Sequence, residues 1–465
     1  MEPRLPSDIA RACGGELLGG PADRPATRLC TDSRSVQPGD IFFALKGENY
    51  DGHAFLGEAV RRGAVAVVAA RGPVRAPVEG VALILVEETL AALGDFAAWY
   101  RRGFDFPVVA VGGSNGKTTT KELTAAVLRQ SLPTLWSDAS FNNAIGVPTT
   151  LLRIESSHRV AVIEVGTNHP GELAPLVAMA APKYGVLTNV GREHLEFFGD
   201  EAGVAREEGW LAELLPADGR LFANGDNVWT DEIARRCPAP VVRVGLGDRN
   251  DWRAEAVVFE PDGVRFRVAA PGAGFSREYR VGLLGRHQVV NSLLAIAVGA
   301  ELGLSPGRVA RGLAECKGAK MRMQLLECNG VRILDDSYNA NSDSMAAALA
   351  TLQELPCDGR RIAVLGDMAE LGAQSEAAHE ELGRRAAELG VGQLFAVGRN
   401  AAFVARGARR GGLHRVFEFA DVEAAAQEVK RFLKHGDLML VKASRSTRLE
   451  RVTEAVRAAD FSRGN

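Results

Sequence analysis

The stretch Val108–Glu122, VVAVGGSNGKTTTKE, puts an apolar run, a glycine turn and a Lys-Thr pair in immediate succession. A strand feeding such a turn and then a helix points several backbone N–H groups at one spot, and the helix dipole adds positive potential there. Gly113, Ser114, Asn115, Gly116 and Thr119 would cradle the phosphates of a nucleotide. Lys117 would reach the outer phosphates and Thr118 would offer its hydroxyl to Mg²⁺. Gly112, Gly113 and Gly116 allow close backbone approach because they have no Cβ. The loop is one residue short of the usual G-x-x-x-x-G-K-T form, since Val111 stands where the first glycine belongs. A glycine-rich strand–helix turn without a ligand is the alternative. A phosphate loop does not by itself name a reaction.

Other residues have the chemistry to serve that loop. Glu164 ends the apolar run VAVIEVG, where a buried carboxylate is costly unless it meets a cation. Mg²⁺ takes such hard oxygen ligands, and an ion pair with an arginine is the other reading. His194 follows the run YGVLTNVG, as a ligand or as an ordinary hydrogen-bonded histidine. Asn142 and Asn143 precede a helix-like segment that they could cap. His287 and Asn291 fall at i, i+4 on one helix face. Asp335 and Asp336 end a strand, where adjacent side chains point to opposite faces, so a shared metal site is disfavoured. Asp336 lies where open α/β sheets present ligand contacts, and Arg445 follows another strand.

The elements that must position these groups alternate between Val/Ile/Leu-rich strands and Ala/Glu/Arg-rich helices, which reads as an α/β fold with largely parallel sheets. With 465 residues, 46% of them hydrophobic, the chain is too long for one ordinary domain. Three sections are expected: 1–104, 105–316 and 317–465. The net charge is −3 and there is no basic block, which argues against nucleic acid. Apolar stretches such as Val81–Val86 are far too short to span a membrane, and MEPRLPSDIA lacks an apolar signal core. Six scattered cysteines without a C-x-x-C pair suggest free thiols and a cytoplasmic location.

The string GGSNGKTTTKE resembles the shortened phosphate loop of the Mur ligase family, which also contains folylpolyglutamate synthase. The resemblance continues in order through SFNNAIGVPTTLL, EVGTNHPGEL, TNVGREHLEFFG, GRHQVVNSLLAIA, DDSYNANSDSM, VLGDMAELG and VKASRS. It implies an N-terminal UDP-binding domain, a central phosphate-loop ATPase domain and a Rossmann-like C-terminal domain. DDSYNAN with GTNHPGE is similar to the branch that adds D-alanyl-D-alanine to a UDP-muramoyl-tripeptide through an acyl-phosphate. The implied ligands are small molecules, namely ATP, two Mg²⁺ ions, the nucleotide-sugar peptide and the dipeptide, acting on a monomer. The runner-up is another amide ligase of the same fold, adding diaminopimelate, lysine or glutamate to its acid.

By the same resemblance, Lys117, Glu164, His194 and Arg322 are catalytic, with Arg322 at the γ-phosphate, the Gln288 amide at adenine where relatives have Asn, Asn291 on the nucleotide and Asp336 at the ribose. Thr118, Glu164 and His194 are metal ligands. Ser33 and Arg34 would hold the UDP diphosphate beside the Gly47–His53 turn. Asn142 and Asn143 would face the acyl-phosphate, Asn339 and Asn341 the nucleotide and dipeptide, and Arg445 the dipeptide carboxylate. Relatives carry a carbamylated lysine where GVAREEGW has Glu208. By the resemblance Glu208 takes the place of that carbamate as a ligand of the second metal, preserving the charge type without CO₂ on a side chain about 3 Å shorter. A helix-surface charge is the alternative.

Overall fold

The computed structural model describes residues 1–458 apart from 22, 48, 73, 75–79 and 273. Residue 48 of the Gly47–His53 turn and residues 459–465 of the third section therefore lie outside the described residues. Three sheets of five, nine and six strands follow one another along the chain.

The first sheet is parallel except at one edge, where Glu16–Leu18 runs antiparallel to Ala82–Val86. The Thr89–Arg101 helix leaves it, and the Glu88 carboxylate caps that helix by accepting the N–H groups of Leu90 and Ala91 at 2.8 and 2.6 Å. Phe96 and Tyr100 of this helix share one apolar core with Val147 and Leu151 of the central section. The Tyr100 hydroxyl also donates to the Ile154 carbonyl at 2.6 Å.

In the central sheet, Val108–Gly112 lies between Val160–Glu164 and Tyr184–Leu187, all parallel. The chain passes from one side of Val108–Gly112 to the other here. Crossovers therefore diverge at the carboxyl ends of these strands and leave a crevice, as in other open α/β sheets. An antiparallel extension, Trp252–Glu260, Gly263–Ala269 and Glu278–Val281, closes the far edge. The third sheet is parallel apart from its edge strand Gln324–Cys328, and Leu438–Lys442 is inserted between Val331–Asp335 and Arg361–Gly366. That edge strand and Val416–Phe419 at the other edge carry exposed side chains on much of their length, so their apolar signal in the sequence is weak.

Candidate functional site

The Lys117–Leu128 helix begins at Gly116, which is left-handed at φ +85°, and no side chain caps it. Its first N–H groups are left free for a ligand. Gly113 has φ +111°, and a Cβ there would lie 2.4 Å from Thr188 Oγ1, so only glycine fits. Neighbouring strand ends shape the loop: Ser114 N donates to the Asn189 carbonyl at 2.9 Å and Asn115 N to Asn189 Oδ1 at 2.8 Å.

Around this loop lies a cavity of about 1280 Å³, lined by all three sections. Thr118 Oγ1 donates to Glu164 Oε1 at 3.1 Å and lies 3.1 Å from Ser140 Oγ, while Asn142 Nδ2 donates to the same Glu164 oxygen at 2.9 Å. Glu164 Oε2 is buried without a partner. Lys117 Nζ donates to the Gly113 and Ser114 carbonyls and lies 3.7 Å from Glu193 Oε2. Burial works to lower the Lys117 pKa, but the carboxylates of Glu193, Glu208 and Glu164 outweigh it and hold the ammonium charged. Glu193, which drew no attention beside His194 in the sequence, is buried with Oε1 unpartnered and lies 3.8 Å from His194 Nε2. The other His194 nitrogen, Nδ1, pairs with Glu370 of the third section, and this bond holds the Glu370 carboxyl below its usual pKa.

From the third section, Arg322 donates to Ser140 Oγ at 3.1 Å, its guanidinium 4.2 Å from the Tyr338 ring centroid. Asn341 Nδ2 donates to Asn115 Oδ1 at 2.9 Å and also caps its own helix. Asp336 lines the cavity but is engaged, pairing with Lys442 at 2.5 Å and accepting Met323 N–H at 3.0 Å. Asp335 turns away and accepts from the Ser337 hydroxyl. Asn339 and Arg445 are exposed on the cavity wall, and Arg445 pairs with Glu450 at 3.0 Å. Asn291 also lines the cavity and donates to Gln288 Oε1 at 3.0 Å. Thr119 is buried and contributes to the cavity wall. Asn143 takes the capping role, accepting Ile145 and Gly146 N–H groups at 3.1 and 2.9 Å.

Three expected residues lie apart from this convergence. Ser33 and Arg34 do not line the cavity; Ser33 donates to Glu58 at 3.2 Å and Arg34 pairs with Asp32 at 2.7 Å. Glu208 is no helix-surface charge, for it is fully buried, but it does not line the cavity either. Its Oε2 accepts the Gly113 N–H at 2.7 Å and its Oε1 has no partner. The short side chain ends beneath the phosphate loop. Burial pushes its pKa up to about 8 against the pull of Lys117, so it takes up a proton far more readily than an exposed glutamate. Among the described residues no group of three or more His, Cys, Asp or Glu could hold a metal, so Glu164, His194 and Glu208 do not form one cluster.

Residues 26–101, 111–299 and 321–445 match, in turn, the descriptions "Mur ligase family, catalytic domain", "Mur ligase middle domain" and "Mur ligase, glutamate ligase domain". The UDP-N-acetylmuramoyl-tripeptide–D-alanyl-D-alanine ligase of Escherichia coli (strain K12) is 37% identical over 97% of both chains. The chain belongs to the Mur ligase family. The Bacillus subtilis (strain 168) ligase of the same name is 35% identical over 98% of both chains. Among solved Mur ligases, MurF from Acinetobacter baumannii superposes with a TM-score of 0.90 at 30% identity, covering 99% of this chain and 100% of that one. MurF from Thermotoga maritima in complex with ADP gives 0.81 at 28% identity, over 93% and 97%. As a Mur ligase, this chain carries its phosphate loop and the polar groups of its third section on one cavity.

Proposed function

We infer that this chain is an ATP-dependent ligase that joins D-alanyl-D-alanine to UDP-N-acetylmuramoyl-tripeptide, a step in making peptidoglycan precursors. The observation that carries the reading is the convergence of Lys117 and Thr118 with Arg322 and Asn341 on one cavity, in a chain whose relatives of that name match it end to end.

The terminal carboxylate oxygen of the tripeptide attacks the γ-phosphorus of ATP, and the bond to the ADP oxygen breaks. The dipeptide amine then attacks the acyl carbon, phosphate leaves and the amine gives up its proton. Lys117 and Arg322 stabilise the charge on the transferred group, and the free N–H groups at the start of the Lys117–Leu128 helix hold the phosphates. No side chain forms a covalent bond. Thr118 and Glu164 suit Mg²⁺, because Glu164 Oε2 lacks a partner and this ion is held by few carboxylates together with substrate phosphates. His194 and Glu193 would hold a second ion. When bound, these ions neutralise phosphate charge and align the reacting oxygens. The six cysteines are free, in keeping with a reducing cytoplasm.

Phosphate release with ATP, Mg²⁺ and UDP-muramoyl-tripeptide tests the reading. Release should require D-alanyl-D-alanine, and D-glutamate, lysine or diaminopimelate should not replace it. Release that ignores the amine, or answers to one of those three, would overturn it.

A further inference from the structure

The cavity extends well beyond the triphosphate region. Its far wall is the Thr89–Arg101 helix of the first section and the Leu173–Ala180 helix of the central section. Ala91, Asp95, Ala98 and Arg102 recur at helical spacing along that wall and form one stripe. Gly94 lets the two helices close up, since a Cβ there would lie 3.0 Å from the Met179 methyl.

The stripe carries two opposite charges. Asp95 and Arg102 are exposed, and neither has a hydrogen-bonding or ion-pairing side-chain partner among the described residues. Most other charges lining the cavity are engaged: Glu88 caps a helix, Glu172 accepts from Asn168 N, Asp336 meets Lys442 and Asp343 meets Arg192. The two are seven residues apart, roughly 10 Å along the axis. An ammonium and a carboxylate on one small group fit between them.

Resting on the proposed function, we propose that this stripe is the subsite for the peptide arm of the acyl donor, and that Asp95 and Arg102 select a third residue whose side chain ends in both an ammonium and a carboxylate. The acyl donor must reach the phosphate loop with its reacting carboxylate, and this wall is the part of the cavity that the nucleotide-binding loop and the third section leave free. A diaminopimelyl tripeptide presents both charges, whereas a lysyl tripeptide presents the ammonium alone.

The experiment compares kcat/KM for UDP-muramoyl-tripeptides ending in diaminopimelate and in lysine, at saturating ATP and D-alanyl-D-alanine. The wild type should prefer the diaminopimelyl substrate by about tenfold or more, as expected for an interaction with a charged group. Arg102→Ala should raise KM for that substrate to near the lysyl value, leaving the lysyl KM and the KM for ATP unchanged, and Arg102→Lys should restore part of the preference. Asp95→Asn should raise KM for both tripeptides. Equal use of the two tripeptides by the wild type, or an Arg102→Ala defect of the same size on both, would overturn the subsite. If neither tripeptide supports phosphate release with D-alanyl-D-alanine while another acid does, the functional reading falls first and takes the subsite with it.

Discussion

Glu208 lies under Gly113 with one oxygen bonded to the loop backbone and the other bare. A carboxyl whose folded pKa is raised from 4.5 to about 8 binds its proton more tightly folded than unfolded. Its contribution to stability is complete below pH 4.5 and is lost as pH rises through about 8. Glutamine keeps an acceptor for Gly113 and removes the titration. Thermal melts of wild type and Glu208→Gln should therefore diverge between pH 5 and 8 in favour of the variant, with a slope approaching about 1.4 kcal/mol per pH unit, and run parallel above it. A difference independent of pH would mean that Glu208 is ionised throughout. Residue types alone revealed the phosphate loop, because all its determinants fall within Gly113–Thr119. They missed Glu193, whose significance comes only from its approach to Lys117 from another strand end.

At the scale of elements, the Lys117–Leu128 helix serves the site twice. Its first turn carries Lys117 and Thr118, and one turn later Lys121 is wholly buried. Lys121 Nζ donates to Glu122 at 2.6 Å and to the carbonyls of Ser137 and Ala139 at 2.7 and 2.8 Å. It thereby fixes the segment that delivers Ser140 to Thr118 and Arg322. Lys121→Met would strand those two carbonyls, so it should cost about 3 kcal/mol in stability, visible by scanning calorimetry, and slow ADP release at least tenfold. Full activity in a stable Lys121→Met protein would remove the segment from the machinery. The element pattern was largely readable: the strands at 160–164, 184–187, 331–335 and 438–442 come from apolar runs, and the helix at 89–101 from LAALGDFAAWYRR. The strands Gln324–Cys328 and Val416–Phe419 escaped because edge strands bury only part of their length.

Across the whole molecule the two seams differ in kind. The first and central sections share a hydrocarbon core through Phe96, Tyr100, Val147 and Leu151. The central and third sections meet over the cavity through polar groups. Arg192 donates to Asp343 by two side-chain bonds of 2.9 and 2.6 Å and by its own N–H at 2.8 Å, and Asn115 meets Asn341. These partners are 151 and 226 positions apart, and nothing local in the sequence marks them as pairs. An exposed but forked contact of this sort contributes about 1 kcal/mol. Asp343→Ala should leave the melting temperature almost unchanged while lowering kcat/KM for D-alanyl-D-alanine by about fivefold, with an enlarged radius of gyration in solution scattering without nucleotide. An unaltered kcat/KM would show that the contact is incidental to the reaction.

The polar seam also bears on ancestry. Leu284 of the central section is buried with the third section's core, and the cross-seam hydrogen bonds described above are polar contacts that another lobe with the same few partners could reproduce. The first and central sections are welded and must diverge together. The lobe opposite them can be traded or retuned by itself, so a change in what that lobe carries needs no rebuilding of the rest.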